Sequence, residues 1–242
     1  MSRHFELMQE AERTTASHSE GRLQALVPGT EYRRANISDS TSGLVQRIFF
    51  QQSQTPPRLV VIAGIDRGDG SSRVAASIAE ALAANATRGV CMVEANFRAP
   101  AFLGTPKPTS AHGLTTALRE EGPIWSFVKP TGNERVWLLA TGPLDADSPN
   151  LFNSVGMRSR CSELRAEFDF VIVDAPPLGR YADAIALAQL SDGIILILEA
   201  EETRREAAIA VVDDLRSSHI AILGAVLNQR TYPIPEPIYR RL

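Results

Sequence analysis

The stretch "RLVVIAGIDRGDGSSRVAASIAEALAANA", Arg58 to Ala86, decides the fold. An apolar run (Leu59–Ala63) leads into a glycine-rich turn (Gly64–Ser72), and the turn leads into an alanine-rich segment of helical pattern. Strand, glycine loop, helix is the setting of a phosphate site. A glycine turn at a helix start gathers backbone N–H groups, and the helix dipole adds partial positive charge there. Gly68 and Gly70 allow close backbone approach, and the Ser72 hydroxyl suits Mg²⁺. Where such loops read Gly-Lys-Ser, this one reads Gly70-Ser71-Ser72, so no cation meets the outer phosphates. Losing one charge-assisted contact weakens binding by about 1.5–3 kcal/mol, and transfer chemistry suffers more because that cation also meets charge developing in the transition state. Arg67 is a candidate replacement, although Asp66 and Asp69 offset the charge around it. A tight strand-to-helix turn that binds nothing explains the glycines equally well.

Outward from this stretch, apolar runs of strand length alternate with helical patterns. The runs are Leu59–Gly64, Val90–Ala95, Val136–Ala140, Phe170–Ala175, Gly193–Ala200 and Ala221–Asn228; helices are expected over Ser71–Ala86, Gly113–Glu120, Ser148–Glu167, Ala182–Leu190 and Thr203–Ser217. Runs apolar on both faces suit a parallel sheet covered on both sides. The expected fold is therefore α/β, a doubly wound and mainly parallel sheet flanked by helices, with ligands at the carboxyl ends of the strands.

Residues 1–43 read as a polar arm, mobile or loosely docked; 44–230 form the domain; and 231–242, with Pro233, Pro235 and Pro237, form an extended tail. "LVQRIFFQQ" (Leu44–Gln52) reads as a short helix ahead of the first strand. The formal net charge of −3 gives no electrostatic case for nucleic acid. No apolar run approaches the ~18 residues that span a bilayer, and the polar N-terminus is no signal peptide. A cytoplasmic location is expected, peripheral to the membrane only through a partner. Cys91 and Cys161 are far apart without metal spacing and read as reduced structural thiols. Trp125 and Trp137 read as core or interface residues. Of 25 Lys plus Arg, only Lys107 and Lys129 are lysine, a bias that does not account for the serine at 71.

Two further segments carry carboxylates to strand ends. "VEANFRAP" (Val93–Pro100) supplies Glu94 and Asn96, and "VIVDAPP" (Val171–Pro177) supplies Asp174. Acids placed there hold Mg²⁺ through water and orient a nucleophile; an acid that braces the loop helix is the plainer alternative for Asp174.

Together these segments resemble the cytoplasmic domain of bacterial tyrosine kinases of capsule and exopolysaccharide assembly, within the deviant P-loop class that includes MinD and ParA proteins. The likeness runs from about Leu44 to Asn228. In that family the loop reads approximately Pro-Gly-Glu-Gly-Lys-Ser-Thr, and "RGDGSSR" (Arg67–Arg73) lies on it. The second motif reads Asp-x-Asp-x-Arg-x-Pro, of which Arg98 and Pro100 remain while Glu94 and Asn96 replace the acids. The third, Asp-x-Pro-Pro after an apolar strand, is intact at Asp174. "GLTTALRE" (Gly113–Glu120), "LLATGPLDADSPNLFNS" (Leu138–Ser154), Ala182–Glu206 and "LGAVLNQR" (Leu223–Arg230) complete the series.

The resemblance implies ATP or ADP with Mg²⁺ as cofactor, contacted by Gly68, Asp69, Gly70, Ser71, Ser72 and Arg73. It implies Mg²⁺ at Ser72, Asp174 and Asn96, and catalytic roles for Glu94 and Asp174 if the enzyme is active. It also implies a membrane chain-length or copolymerase protein of polysaccharide export as partner. The departures point to a degenerate member that acts through protein contacts. Besides the loop and second motif, the family's Glu-x-x-Arg-x-x-Arg ring-assembly pattern is missing from Asp39–Val45. Its C-terminal tyrosine cluster is reduced to Tyr232 and Tyr239. An active autokinase using Arg67 or Arg73 is the alternative. A MinD-like organising ATPase is the second, although Asp66 stands where those proteins carry an extra lysine.

Overall fold

The computed structural model describes residues 24–26, 37–51, 55–99 and 112–229, with the backbone alone for 24–26 and 37–40. Strand β2 (Leu59–Gly64) is buried along its whole length. It lies between two parallel neighbours, β6 (Phe170–Asp174) and β7 (Gly193–Glu199). Beyond β6 come β3 (Val90–Glu94), β5 (Val136–Leu139) and the two-residue β4 (Lys129–Pro130); beyond β7 come β8 (Ile222–Asn228) and β1 (Gln24–Leu26). The order β1-β8-β7-β2-β6-β3-β5-β4 is parallel except at β1 and β4, which pair antiparallel at the two edges. This is the doubly wound α/β sheet expected from the sequence.

The period of two along β2 divides the core. Leu59, Val61 and Ala63 pack on one face with Leu164, Leu187 and Leu215, which lie on α4 (Val155–Glu167), α5 (Asp183–Ala188) and α6 (Arg205–Ser217). Val60 and Ile62 face the other layer, built from α1 (Ile37–Val45), the π-helical turn Gln46–Gln51 and α2 (Ser71–Ala83). Both faces of each central strand are covered, which is why the strands read as unbroken apolar runs.

Within the 1–43 segment, residues 24–26 extend the sheet and residues 37–43 belong to α1. Two features differ from the helices expected. The single helix expected over Ser148–Glu167 is a 3₁₀ segment (Ser148–Asn153) and α4, broken at Ser154. Ser154 adopts extended backbone, and its hydroxyl accepts the Met157 N–H at 3.1 Å, an N-cap that starts a new helix. Finally, α3 (Leu114–Arg119) is shorter than the pattern suggested. Cys91 and Cys161 are both buried free thiols, and burial pushes the Cys161 pKa up to about 11. Trp125 packs edge-on to Trp137 at 5.0 Å while its indole N–H donates to Glu167 at 2.8 Å. Among the described residues no helix is long and apolar enough to cross a membrane.

Candidate functional site

From β2 the chain moves to one side of the sheet (β3, β5) and later to the other (β7, β8). The carboxyl end of β2 is therefore where the winding reverses, the usual position of a ligand in such sheets. The glycine loop begins there and feeds α2. Gly68 and Gly70 have φ of 93° and 81°, left-handed values that favour glycine and turn successive N–H groups to one side. Gly70 also stays small because a Cβ would run into the Asn228 amide.

The loop is held from two directions. Leu178 and Gly179 donate their N–H groups to the carbonyls of Gly64 and Ile65, at 2.9 and 3.0 Å. This places the Asp-Ala-Pro-Pro turn of β6 against the start of the loop. From the other side, Asn228 Nδ2 donates to the Asp69 carbonyl and Gln229 Nε2 to the Gly68 carbonyl, both at 2.8 Å. The sequence reading named the segment containing Asn228 and Gln229 but gave neither residue a role; position at the end of the last strand was the only available signal.

A cleft of about 350 Å³ opens over the loop, at the small end for ligand pockets. Gly68, Asp69, Gly70, Ser71, Ser72, Arg73 and Asn96 all line it, joined by Arg67, Arg98 and Pro177. Three of the residues that line it are arginine. Arg67 and Arg73 are exposed. Arg98 pairs with Asp183 at 3.3 Å and stacks over the Tyr181 ring at 4.8 Å.

Asp174 and Glu94 end adjacent strands in direct register. Asp174 has no exposed surface, and neither carboxylate oxygen makes a well-formed hydrogen bond, although the Ser72 hydroxyl is close enough to favour its charged form. Burial pushes its pKa up to about 7, with Ser72 acting against that shift and the charges of Glu94 and Asp69 adding to it. Such a carboxylate fits a cation or its water shell, because both would repay the lost hydration. Glu94 is 2% exposed and its Oε2 accepts the Thr141 N–H at 3.3 Å. The Asn96 amide oxygen accepts the Ala99 N–H at 3.2 Å, so it braces its own turn. Among the described residues no group of three or more His, Cys, Asp or Glu is arranged to hold a metal by itself. An ion at Asp174 would therefore take further ligands from phosphate and water. Tyr232 and Tyr239 lie outside the described residues.

No protein-family model matches the chain. The chain is 28% identical over 169 residues to the tyrosine-protein kinase YwqD of Bacillus subtilis, covering 70% of this chain and 71% of that one. It is 26% identical over 184 residues to the tyrosine-protein kinase CpsD of Streptococcus agalactiae, covering 76% and 79%. It is 27% identical over 175 residues to the succinoglycan biosynthesis transport protein ExoP of Rhizobium meliloti, covering 71% of this chain and 22% of that longer one. Among solved structures, the chimerical protein CapA2B2 superposes with a TM-score of 0.75 at 22% identity, over 82% of this chain and 87% of that one. The kinase domain of the Escherichia coli tyrosine kinase ETK gives 0.74 at 18%, over 83% and 80%. MinD from Pyrococcus horikoshii, complexed with Mg-ADP, gives 0.55 at 21%, over 69% and 68%. The resemblance drawn from the motifs is borne out: the relatives are bacterial tyrosine-protein kinases, and the fold is that of their kinase domains and of MinD.

Proposed function

We propose that this protein is a degenerate tyrosine-kinase-like member of an exopolysaccharide or capsule assembly system, acting through protein contacts with weak or lost use of ATP. The observation that carries the reading is the head of α2. The loop has the backbone of a phosphate cradle, but Ser71 stands in the place of lysine. The nearest arginines are exposed or, at Arg98, already paired with Asp183. Kinase relatives and a biosynthesis transport relative support the biological setting. The partner in this reading is a membrane chain-length or copolymerase protein of polysaccharide export, which brings a cytoplasmic chain to the inner face of the membrane.

The buried, unpartnered Asp174 favours a second reading, an active ATP-dependent autokinase. In it Ser72 and Asp174 hold Mg²⁺, which shields the phosphate charge; Glu94 takes the tyrosine proton; and Tyr232 or Tyr239 is the acceptor.

Calorimetric titration with Mg-ADP and Mg-ATP separates the two. The degenerate reading expects no saturation below millimolar nucleotide in the wild type and a clear gain in Ser71→Lys. Micromolar binding by the wild type, with phosphotyrosine appearing on incubation with Mg-ATP, would establish the kinase reading instead.

A further inference from the structure

Asp69 is an acid at the place in a phosphate loop where an anion is the expected guest. It stands between the two left-handed glycines, and only 1% of its surface is exposed. Its Oδ1 accepts the backbone N–H of Ser71 at 3.2 Å. The Ser71 hydroxyl and the backbone at Asp66 also favour its charged form. Its Oδ2 is buried without a partner. The side chain is folded back within the loop, over the end of β2: a Cβ on Gly64 would fall on the carboxylate itself. The Asp69 and Gly68 carbonyls are fixed by Asn228 and Gln229, so the backbone on either side of the Asp69 side chain is held.

A phosphate at the start of a helix is held by the free N–H groups of the first turn and the loop before it. The Ser71 N–H is one of these, and Asp69 already takes it. Two anions cannot share one set of donors, and their repulsion grows as water is excluded. We propose that the Asp69 carboxylate is an internal anion occupying the phosphate cradle, so that a nucleotide phosphate enters only when this side chain swings out. The proposal rests on the reading of the loop as a weakened phosphate site and names the residue that closes it. It also gives Ser71 a positive role: where lysine would supply a cation, serine adds a hydroxyl to the plug beside the backbone N–H that any residue there would give. Burial, the largest influence on Asp69, pushes its pKa up to about 6, as befits an anion with one oxygen unsolvated. The plug is therefore a latch rather than a permanent seal.

The test compares Mg-ADP affinity by calorimetry for wild type, Asp69→Ala and Asp69→Asn, with hydrogen–deuterium exchange of the ligand-free loop as a second readout. Asp69→Ala empties the cradle, whereas Asp69→Asn removes the charge but keeps the volume and an oxygen for the Ser71 N–H. The expected result is at least tenfold tighter binding and faster amide exchange over residues 66–72 in Asp69→Ala, with a smaller gain in Asp69→Asn. Equal affinity in Asp69→Ala and wild type overturns the proposal. So does an Asp69→Asn gain as large as that of Asp69→Ala, which would mean repulsion without occupancy. If neither wild type nor Asp69→Ala binds measurably, Ser71→Lys against Ser71→Lys/Asp69→Ala supplies the same comparison, and equal affinity there is also fatal. Asp69→Ser serves if the alanine variant does not fold. Weak and equal affinities in wild type and Asp69→Ala leave the degenerate reading intact and remove the plug. Tight wild-type binding that tightens tenfold further in Asp69→Ala does the reverse.

Discussion

Asp174→Asn should stabilise the metal-free protein at alkaline pH and not at acid pH. The carboxylate has no exposed surface and no well-formed hydrogen bond on either oxygen, and burial raises its pKa from 3.8 to about 7 against the influence of the Ser72 hydroxyl. The sign is opposite to that of a salt-bridged acid. In the unfolded chain the group ionises near its ordinary value, while in the fold it resists ionisation, so the native state binds the extra proton between the two values. Stability therefore falls as pH rises from about 4 to about 7 and is level above that. A rise of about three pKa units corresponds to about 4 kcal/mol at full ionisation, an upper figure because neighbouring carboxylates share it. An asparagine removes that penalty but buries an amide, which costs about 1–3 kcal/mol where it finds no acceptor. The net expectation is about 1–3 kcal/mol of stabilisation at pH 8, or roughly 2–10 °C in Tm, declining to nothing or to a loss at pH 5. Thermal unfolding by circular dichroism, in EDTA and across this pH range, measures the difference between variant and wild type. Subtraction cancels Asp169 and Asp192, whose pKa values are lowered in spite of desolvation by hydrogen bonds, from Arg88 and Thr87 and from Arg165, Leu59 and Arg58 respectively, and which lose stability in the opposite direction, as pH falls. A difference that does not change with pH would refute the reasoning, because Asp174 would then not be ionising against a desolvation penalty.

Three other perturbations have expected outcomes. Arg160→Met removes a buried guanidinium that donates to the carbonyls of Ala117, Gly122 and Glu120 at 2.7, 2.7 and 2.8 Å; a loss of about 2–4 kcal/mol is expected in urea unfolding. Ser154→Ala deletes the cap of α4 and should cost about 1 kcal/mol, read as a lower midpoint at unchanged m-value. Asn228→Ala releases the Asp69 carbonyl, so amide exchange over residues 66–72 should accelerate while exchange in β2 and β7 stays as in wild type.

The six central strands were legible to within a residue at each end, because a strand buried on both faces must be apolar at every position. The helices were legible in number, less so in extent. Pro149, Asn153 and Gly156 in Ser148–Glu167 were signals of a break that apolar periodicity passes over, and Ser154 caps a new helix there. The edge strand Gln24–Leu26 carries no alternation to read, and it exists because β8 presents an unpaired edge to it. In the site, Asp174 and Glu94 stood out as acids ending apolar runs. Asn96 is a metal-ligand candidate by its place in a motif alone, and what the fold adds is the Ala99 N–H that its amide oxygen accepts. Asn228 and Gln229 were invisible as loop clamps, since they lie about 160 residues from the loop they hold.

By itself the sequence determined the doubly wound sheet, the site at the end of β2 and the serine where a lysine would stand. Each is a matter of residue type at a position in a local pattern, and periodicity and glycine placement express such things directly. Only the tertiary structure decided which way the acids face. Asp69 reads in sequence as one more residue of a nucleotide loop, but its carboxylate lies in the space left by the missing side chain of Gly64, in a loop held from the end of β8. Direction is set by what distant strands bring into contact, and short-range pattern carries no record of it.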